Sequence, residues 1–112
     1  MHRAEHRLGL LVARPVVCRR IRVRGQVQGV GFRPFVYRLA QEMQLAGWVR
    51  NDGEGVDMEV QGAADVLGIF LTRLETEAPP LASVTSVEAT EAPTSDACGF
   101  EIKVSLHGTA NT

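Results

Sequence analysis

Between residues 25 and 31 the apolar side chains change their spacing, and three of those seven residues are glycine. Before the change, Ile21 and Val23 alternate with Arg20, Arg22 and Arg24, the period-two pattern of a half-buried strand. After it, Val36, Leu39, Ala40 and Met43 recur at helical spacing. The pattern predicts a helix over about 34–45, with Pro34 at its first position, where a missing N–H is no loss, and Gly47 ending it. A short glycine-rich loop therefore joins a strand to a helix.

Downstream, Trp48-Val-Arg-Asn51 reads as a second strand and Asp52-Gly-Glu-Gly55 as a turn. Val56, Met58 and Val60 then alternate with Asp57, Glu59 and Gln61, which completes a hairpin. Val66, Phe70 and Leu74, with Leu67 and Leu71 beside them, form an amphipathic helix that stops before Pro79-Pro80. Strands near 82–89 and 100–104 flank a polar loop at 91–99, the last strand placing Phe100, Ile102 and Val104 on one face. The order is βαββαβ plus a short extra strand. That is the α+β, ferredoxin-like split βαβ plan, one mostly antiparallel sheet with two helices on one face. The expected domain spans residues 18–106, between a flexible N-terminal extension, 1–17, and a C-terminal tail, 107–112.

Composition excludes several classes. At 112 residues and 45% apolar the chain is long and apolar enough for one core, and no apolar run approaches the ~18 residues of a membrane span. The Arg-rich start lacks the h-region of about 7–15 apolar residues that export requires, so a cytoplasmic location is expected. Cys18 and Cys98 are two lone thiols, too few for a disulfide framework and expected to be reduced. His2, His6 and His107 all fall in the expected tails, so no metal site and no cofactor are expected.

Charge is divided unevenly. Residues 1–50 hold ten basic side chains and two acids, whereas residues 51–112 hold two basic side chains and eleven acids. In the split βαβ order the first and third strands are neighbours. Arg22 and Arg24 should therefore face Asp57 and Glu59 as solvated cross-strand ion pairs. The outward positions of those strands carry no aromatic platform, and the acids repel phosphates, so nucleic acid is not an expected partner.

The loop Gly25-Gln-Val-Gln-Gly-Val-Gly-Phe-Arg33 carries the chemistry. Glycines allow successive N–H groups to point into one concavity, and a helix N-terminus adds about half a positive charge. Arg33 supplies a planar, permanently charged fork for an oxyanion. Neither the G-x-G-x-x-G spacing nor a Walker-type motif is present, so dinucleotide and P-loop binding are not supported. The loop has no Ser, Cys, His or carboxylate to act as a nucleophile. On these residues alone, the glycines equally serve a tight turn and Asn51 equally caps a hairpin.

Taken together, Val27-Gln-Gly-Val-Gly-Phe-Arg33, Gly47-Trp-Val-Arg-Asn51 and the glycine-bearing turn that follows resemble the signature of the acylphosphatases, over residues 20 to about 104. The resemblance implies hydrolysis of acyl phosphates, with Arg33 binding substrate and Asn51 positioning water. It also implies a phosphate-binding loop made of Gln28, Gly29, Val30, Gly31, Phe32 and Arg33. Gly31-Phe-Arg-Pro-Phe-Val-Tyr-Arg-Leu-Ala40 and Pro79-Pro-Leu-Ala82 are further similar to the N-terminal domain of the hydrogenase-maturation carbamoyltransferases, the HypF family. That likeness implies carbamoyl phosphate as substrate and further domains of a larger maturation enzyme as partners. A free-standing acylphosphatase, or a non-catalytic module that binds carbamoyl phosphate or docks to a partner, remains open.

Overall fold

A computed structural model describes residues 15–104. The expectations for residues 1–14 and for the tail 107–112, with His2, His6 and His107, lie outside the described residues. Strand β1 (Val16–Gln26) begins two residues before the expected domain start. It is followed by α1 (Phe32–Glu42), β2 (Ala46–Asn51), β3 (Gly55–Ala63), α2 (Ala64–Thr76), β4 (Ser83–Ala92) and β5 (Phe100–Ile102). The strands form one open, mixed sheet in the order β4-β1-β3-β2-β5. Every neighbouring pair is antiparallel except β2 and β5, which are parallel. This is the ferredoxin-like plan read from the sequence.

Both helices pack on the face that carries Ile21, Val23, Val49, Val56, Met58 and Val60. α1 buries Phe32, Phe35, Val36, Leu39 and Ala40, one continuous stripe, and α2 buries Leu67, Phe70 and Leu74. At 11 residues α1 is too short to persist in water by propensity alone. Burial of each large apolar side chain contributes about 1.5–3 kcal/mol, so packing on the sheet holds the helix.

Both ends of α1 depart from the sequence expectation. The helix starts at Phe32, which places Pro34 third rather than first. This is harmless because the first helical bond is made by Phe35 N–H to Gly31 O (3.2 Å), so Pro34 lies among the residues that need no donor. At the other end the left-handed residue is Gln44 (φ 58°), not Gly47. Leu45 N–H bonds back to Ala40 O (2.9 Å) and Gln44 N–H to Gln41 O (3.1 Å), a Schellman closure that also buries Leu45. Gly47 instead lies inside β2, where a Cβ would run into the carbonyl of Glu59 on β3.

Two further expectations are corrected. In the last strand only Phe100 reaches the core, while Ile102 and Val104 are 43% and 71% exposed, because β5 is a three-residue edge that ends before Val104. The arginine–carboxylate pairs are not all solvated. Glu59 lies opposite Arg20 and Asp57 opposite Arg22, and Asp57 is 2% exposed. Arg20 grips its two oxygens (3.0 and 2.8 Å), with Arg50 at 3.4 Å and Arg22 at 3.9 Å. Arg24 pairs with Asp52 and Glu54 in the β2–β3 turn.

Candidate active site

Beyond its first residue, the loop after β1 donates no backbone hydrogen bond to another described residue. Val27 anchors its start, with a buried side chain and an N–H bonded to Gly25 O (3.0 Å). Gly29 (φ 75°) and Gly31 (φ 83°) both adopt the left-handed conformation, and a Cβ at either would meet open space, so glycine is required there by backbone angle and not by crowding. Gly31 is the N-cap of α1, without a side-chain cap, and the first turn carries no acidic residue. Six successive amides, those of Gln28, Gly29, Val30, Gly31, Phe32 and Arg33, donate no hydrogen bond to another described residue. Phe32 contributes its N–H while its ring, packed edge-on to Phe35 at 5.4 Å, is buried. A row of unpartnered amides at a helix N-terminus is an anion-binding arrangement.

Arg33 is half-buried in the first turn of α1 and has no ion pair or side-chain hydrogen bond among the described residues. Asn51 ends β2, two residues beyond Val49 and therefore on the helix-bearing face. Its Oδ1 is buried and accepts no hydrogen bond among the described residues. The pairings Arg24 with Gly55 and Asn51 with Val56 bring the ends of β1 and β2 to the start of β3. The glycine loop, the α1 N-terminus and Asn51 thus share one end of the sheet. Gln28 Nε2 ties the loop to the hairpin turn by donating to Gly55 O (2.8 Å), which also accepts from Asp52 N–H (3.1 Å).

The acylphosphatase family model matches residues 19–102. The chain belongs to the acylphosphatase family. It is 63% identical over 84 residues to the carbamoyltransferase HypF2 of Cupriavidus necator, covering 74% of this chain and 10% of that protein. It is 40% identical over 87 residues to an acylphosphatase of Azoarcus, covering 77% of this chain and 88% of that one. The crystal structure of full-length HypF in its phosphate- and nucleotide-bound form superposes with a TM-score of 0.79 at 31% identity, over 83% of this chain and 12% of that chain. This acylphosphatase domain spans about a tenth of the length of the HypF relatives it matches.

Two hollows of the acylphosphatase domain lie elsewhere. One of about 390 Å³ is lined by Cys18, Trp48, Glu59, Gln61, Ser95 and Phe100, and one of about 550 Å³ adjoins Cys98 and Gln44. Neither touches Arg33 or Asn51. A phosphoryl group is held by a shallow ring of amides and needs no deep cavity. Among the described residues no three of His, Cys, Asp and Glu gather as metal ligands, and no helix is long and apolar enough to cross a membrane.

Sequence reasoning overlooked two features. Trp48 stands on the helix-free face, where no aromatic was expected, and its ring is packed by the cations of Arg50 (4.5 Å), Lys103 (4.9 Å) and Arg20 (5.0 Å). The alternation of β2 carried that signal, because Trp48 and Arg50 fall opposite the core residue Val49. The Gln28 side chain was the other omission. A hydrogen bond to a backbone carbonyl 27 residues away leaves no mark in the local pattern.

Proposed function

We propose that this domain hydrolyses acyl phosphates to a carboxylate and inorganic phosphate, with carbamoyl phosphate as its physiological substrate, as the N-terminal domain of a hydrogenase-maturation carbamoyltransferase. The observation that carries this reading is the run of six amides, ending at Arg33, that have no hydrogen-bond partner among the described residues, where the Arg33 side chain also has none. The amides and the guanidinium hold the non-bridging phosphoryl oxygens and take up the charge that grows on them in the transition state. Asn51 Oδ1 accepts a hydrogen bond from a water and aims its oxygen at phosphorus. The P–O bond to the acyl group breaks as the new P–O bond forms, and a phosphoryl oxygen takes the water's proton. The departing carboxylate, or carbamate, is a weak base that leaves without a general acid. A protein nucleophile is therefore unnecessary, in keeping with a loop that contains none.

Incubation with acetyl phosphate and with carbamoyl phosphate tests the proposal. The expected result is phosphate release well above buffer, fastest with the carbamoyl compound if that is the natural substrate. Release equal to buffer, with either compound still raising the melting temperature, would leave a binding module in place of a hydrolase. That second reading has one observation in its favour: relatives such as HypF2 contain this domain as a small part of a much longer chain.

A further inference from the structure

We infer that the side-chain amide of Gln28 is a positioning residue, a staple that fixes the anion loop against the turn following Asn51 and so sets the phosphate site and the water-directing residue together. The inference rests on the hydrolase reading above and adds a role that the loop backbone does not supply.

Residues 28–30 make no backbone hydrogen bond to any described residue. Their one hydrogen bond to the rest of the described fold is from Gln28 Nε2 to Gly55 O (2.8 Å). The acceptor is itself rigidly held. Gly55 lies opposite Arg24 in the β1–β3 ladder, and a Cβ there would collide with the Val23 carbonyl, so the two strands are in close contact at that point. The same carbonyl closes the hairpin by accepting from Asp52 N–H. Asp52 is fixed in turn by Arg24 (3.4 Å) and by accepting the Glu54 N–H (3.0 Å). Asn51 directly precedes this knot.

Successive N–H dipoles turned toward one anion repel each other until it arrives. A loop in which they point the same way must be held so by something else, and affinity is gained when that ordering is made before binding. Gln28 supplies the tether, and its far end is the turn that carries Asn51. Removing it should loosen the anion site and shift the water-directing residue at once.

The test uses the full chain and compares Gln28→Ala with Gln61→Ala. Gln61 makes the same kind of bond, exchanging two side-chain-to-backbone hydrogen bonds with Ser95 (both 2.8 Å), but on the later part of β3, away from the loop. The readouts are the Kd for inorganic phosphate by calorimetry, kcat and KM with acetyl phosphate, and Tm. Gln28→Ala is expected to weaken phosphate binding about fivefold and to lower kcat by a similar factor. Gln61→Ala should lower Tm while leaving both site parameters unchanged. Gln28→Glu adds a pH-dependent readout. At neutral pH its carboxylate cannot donate to Gly55 O, whereas below about pH 4.3 the protonated acid can, so its activity relative to wild type should rise as the pH falls.

A Gln28→Ala protein that loses Tm but keeps wild-type Kd and kcat overturns the inference, as does a Gln28→Glu to wild-type ratio that is flat with pH. A wild type that binds phosphate without hydrolysing acetyl phosphate overturns the hydrolase reading alone, and the Kd comparison then decides the staple. A wild type that binds no phosphate overturns both.

Discussion

Arg20 and Arg33 are separated by a single loop and are used in opposite ways. Arg20 gives its fork to Asp57, packs over Trp48 and belongs to a group of cations around one buried carboxylate. Arg33 sits at a helix N-terminus, the end whose dipole already favours anions, and touches no acid among the described residues. A cation whose charge is already matched by a buried carboxylate stabilises the fold and has less to offer an anionic ligand. A cation kept clear of acids, beside a row of free amides, adds little to stability and is available to a phosphate. Among the described residues, the basic first half therefore includes a structural group, Arg20, Arg22, Arg24 and Arg50, paired with carboxylates, and one guanidinium at the loop that pairs with none.

The largest expected effect breaks this contrast at the site. On the proposed function, Arg33→Ala should reduce acetyl phosphate turnover by about 10²- to 10³-fold, because it would remove a charge that stabilises the transition state. Its stability should stay within about 0.5 kcal/mol of wild type, since the side chain has no ion pair or hydrogen bond among the described residues. Asn51→Ala should lower kcat by a comparable factor and leave phosphate binding nearly intact, which separates directing water from holding phosphate. Equal losses in kcat and phosphate affinity for both variants would show that the two residues form one binding group.

Next in size is the structural counterpart. Asp57→Asn keeps the shape and loses the charge, so it should cost about 2–3 kcal/mol of stability at neutral pH while leaving turnover unchanged. Burial by itself would push the Asp57 carboxyl up. The hydrogen bonds and charge of Arg20, with the charges of Arg50 and Arg22, outweigh burial and hold it below its ordinary value. The sign follows from that direction. A depressed carboxyl contributes its full stabilisation above the unfolded value of about 3.9 and loses it as the pH falls through the folded value. The Tm gap between wild type and Asp57→Asn should be constant above about pH 5 and should close progressively below about pH 4. A gap that does not narrow at all as the pH falls below about 4 would show that the ionisation of Asp57 is not what separates the two proteins.

Local patterns reveal local structure, and the same contrast shows where they stop. Ile21 with Val23, and Val36 with Leu39, announce a strand and a helix because each periodicity arises from one buried face. Arg33 and Asn51 were legible as candidate site residues only through their joint resemblance to a family motif, since either alone fits a surface arginine or a hairpin cap. The burial of Asp57 was not legible: its main partner lies 37 residues away, and only the strand register decides that Arg20 and not Arg24 reaches it. Gln44 carries no sign of its left-handed turn, because the Schellman bonds and the buried Leu45 impose it from outside the residue.

The smallest effect sharpens the contrast by asking whether the loop owes anything to packing. Gly31→Ala places a methyl group in open space, so the cost is confined to holding an L-residue at φ 83°, about 1–2 kcal/mol. Alanine keeps its N–H, so if the left-handed turn survives, phosphate affinity should change less than it does in Gln28→Ala. Gly55→Ala offers the comparison within the same site, because its methyl would meet the Val23 carbonyl and force β1 and β3 apart. Denaturant unfolding of the two variants should therefore rank Gly55→Ala as the more destabilised. Were Gly31→Ala equally damaged, the loop would be bearing a packing load, and the division between a region that stabilises and a region that binds would not hold at residue 31.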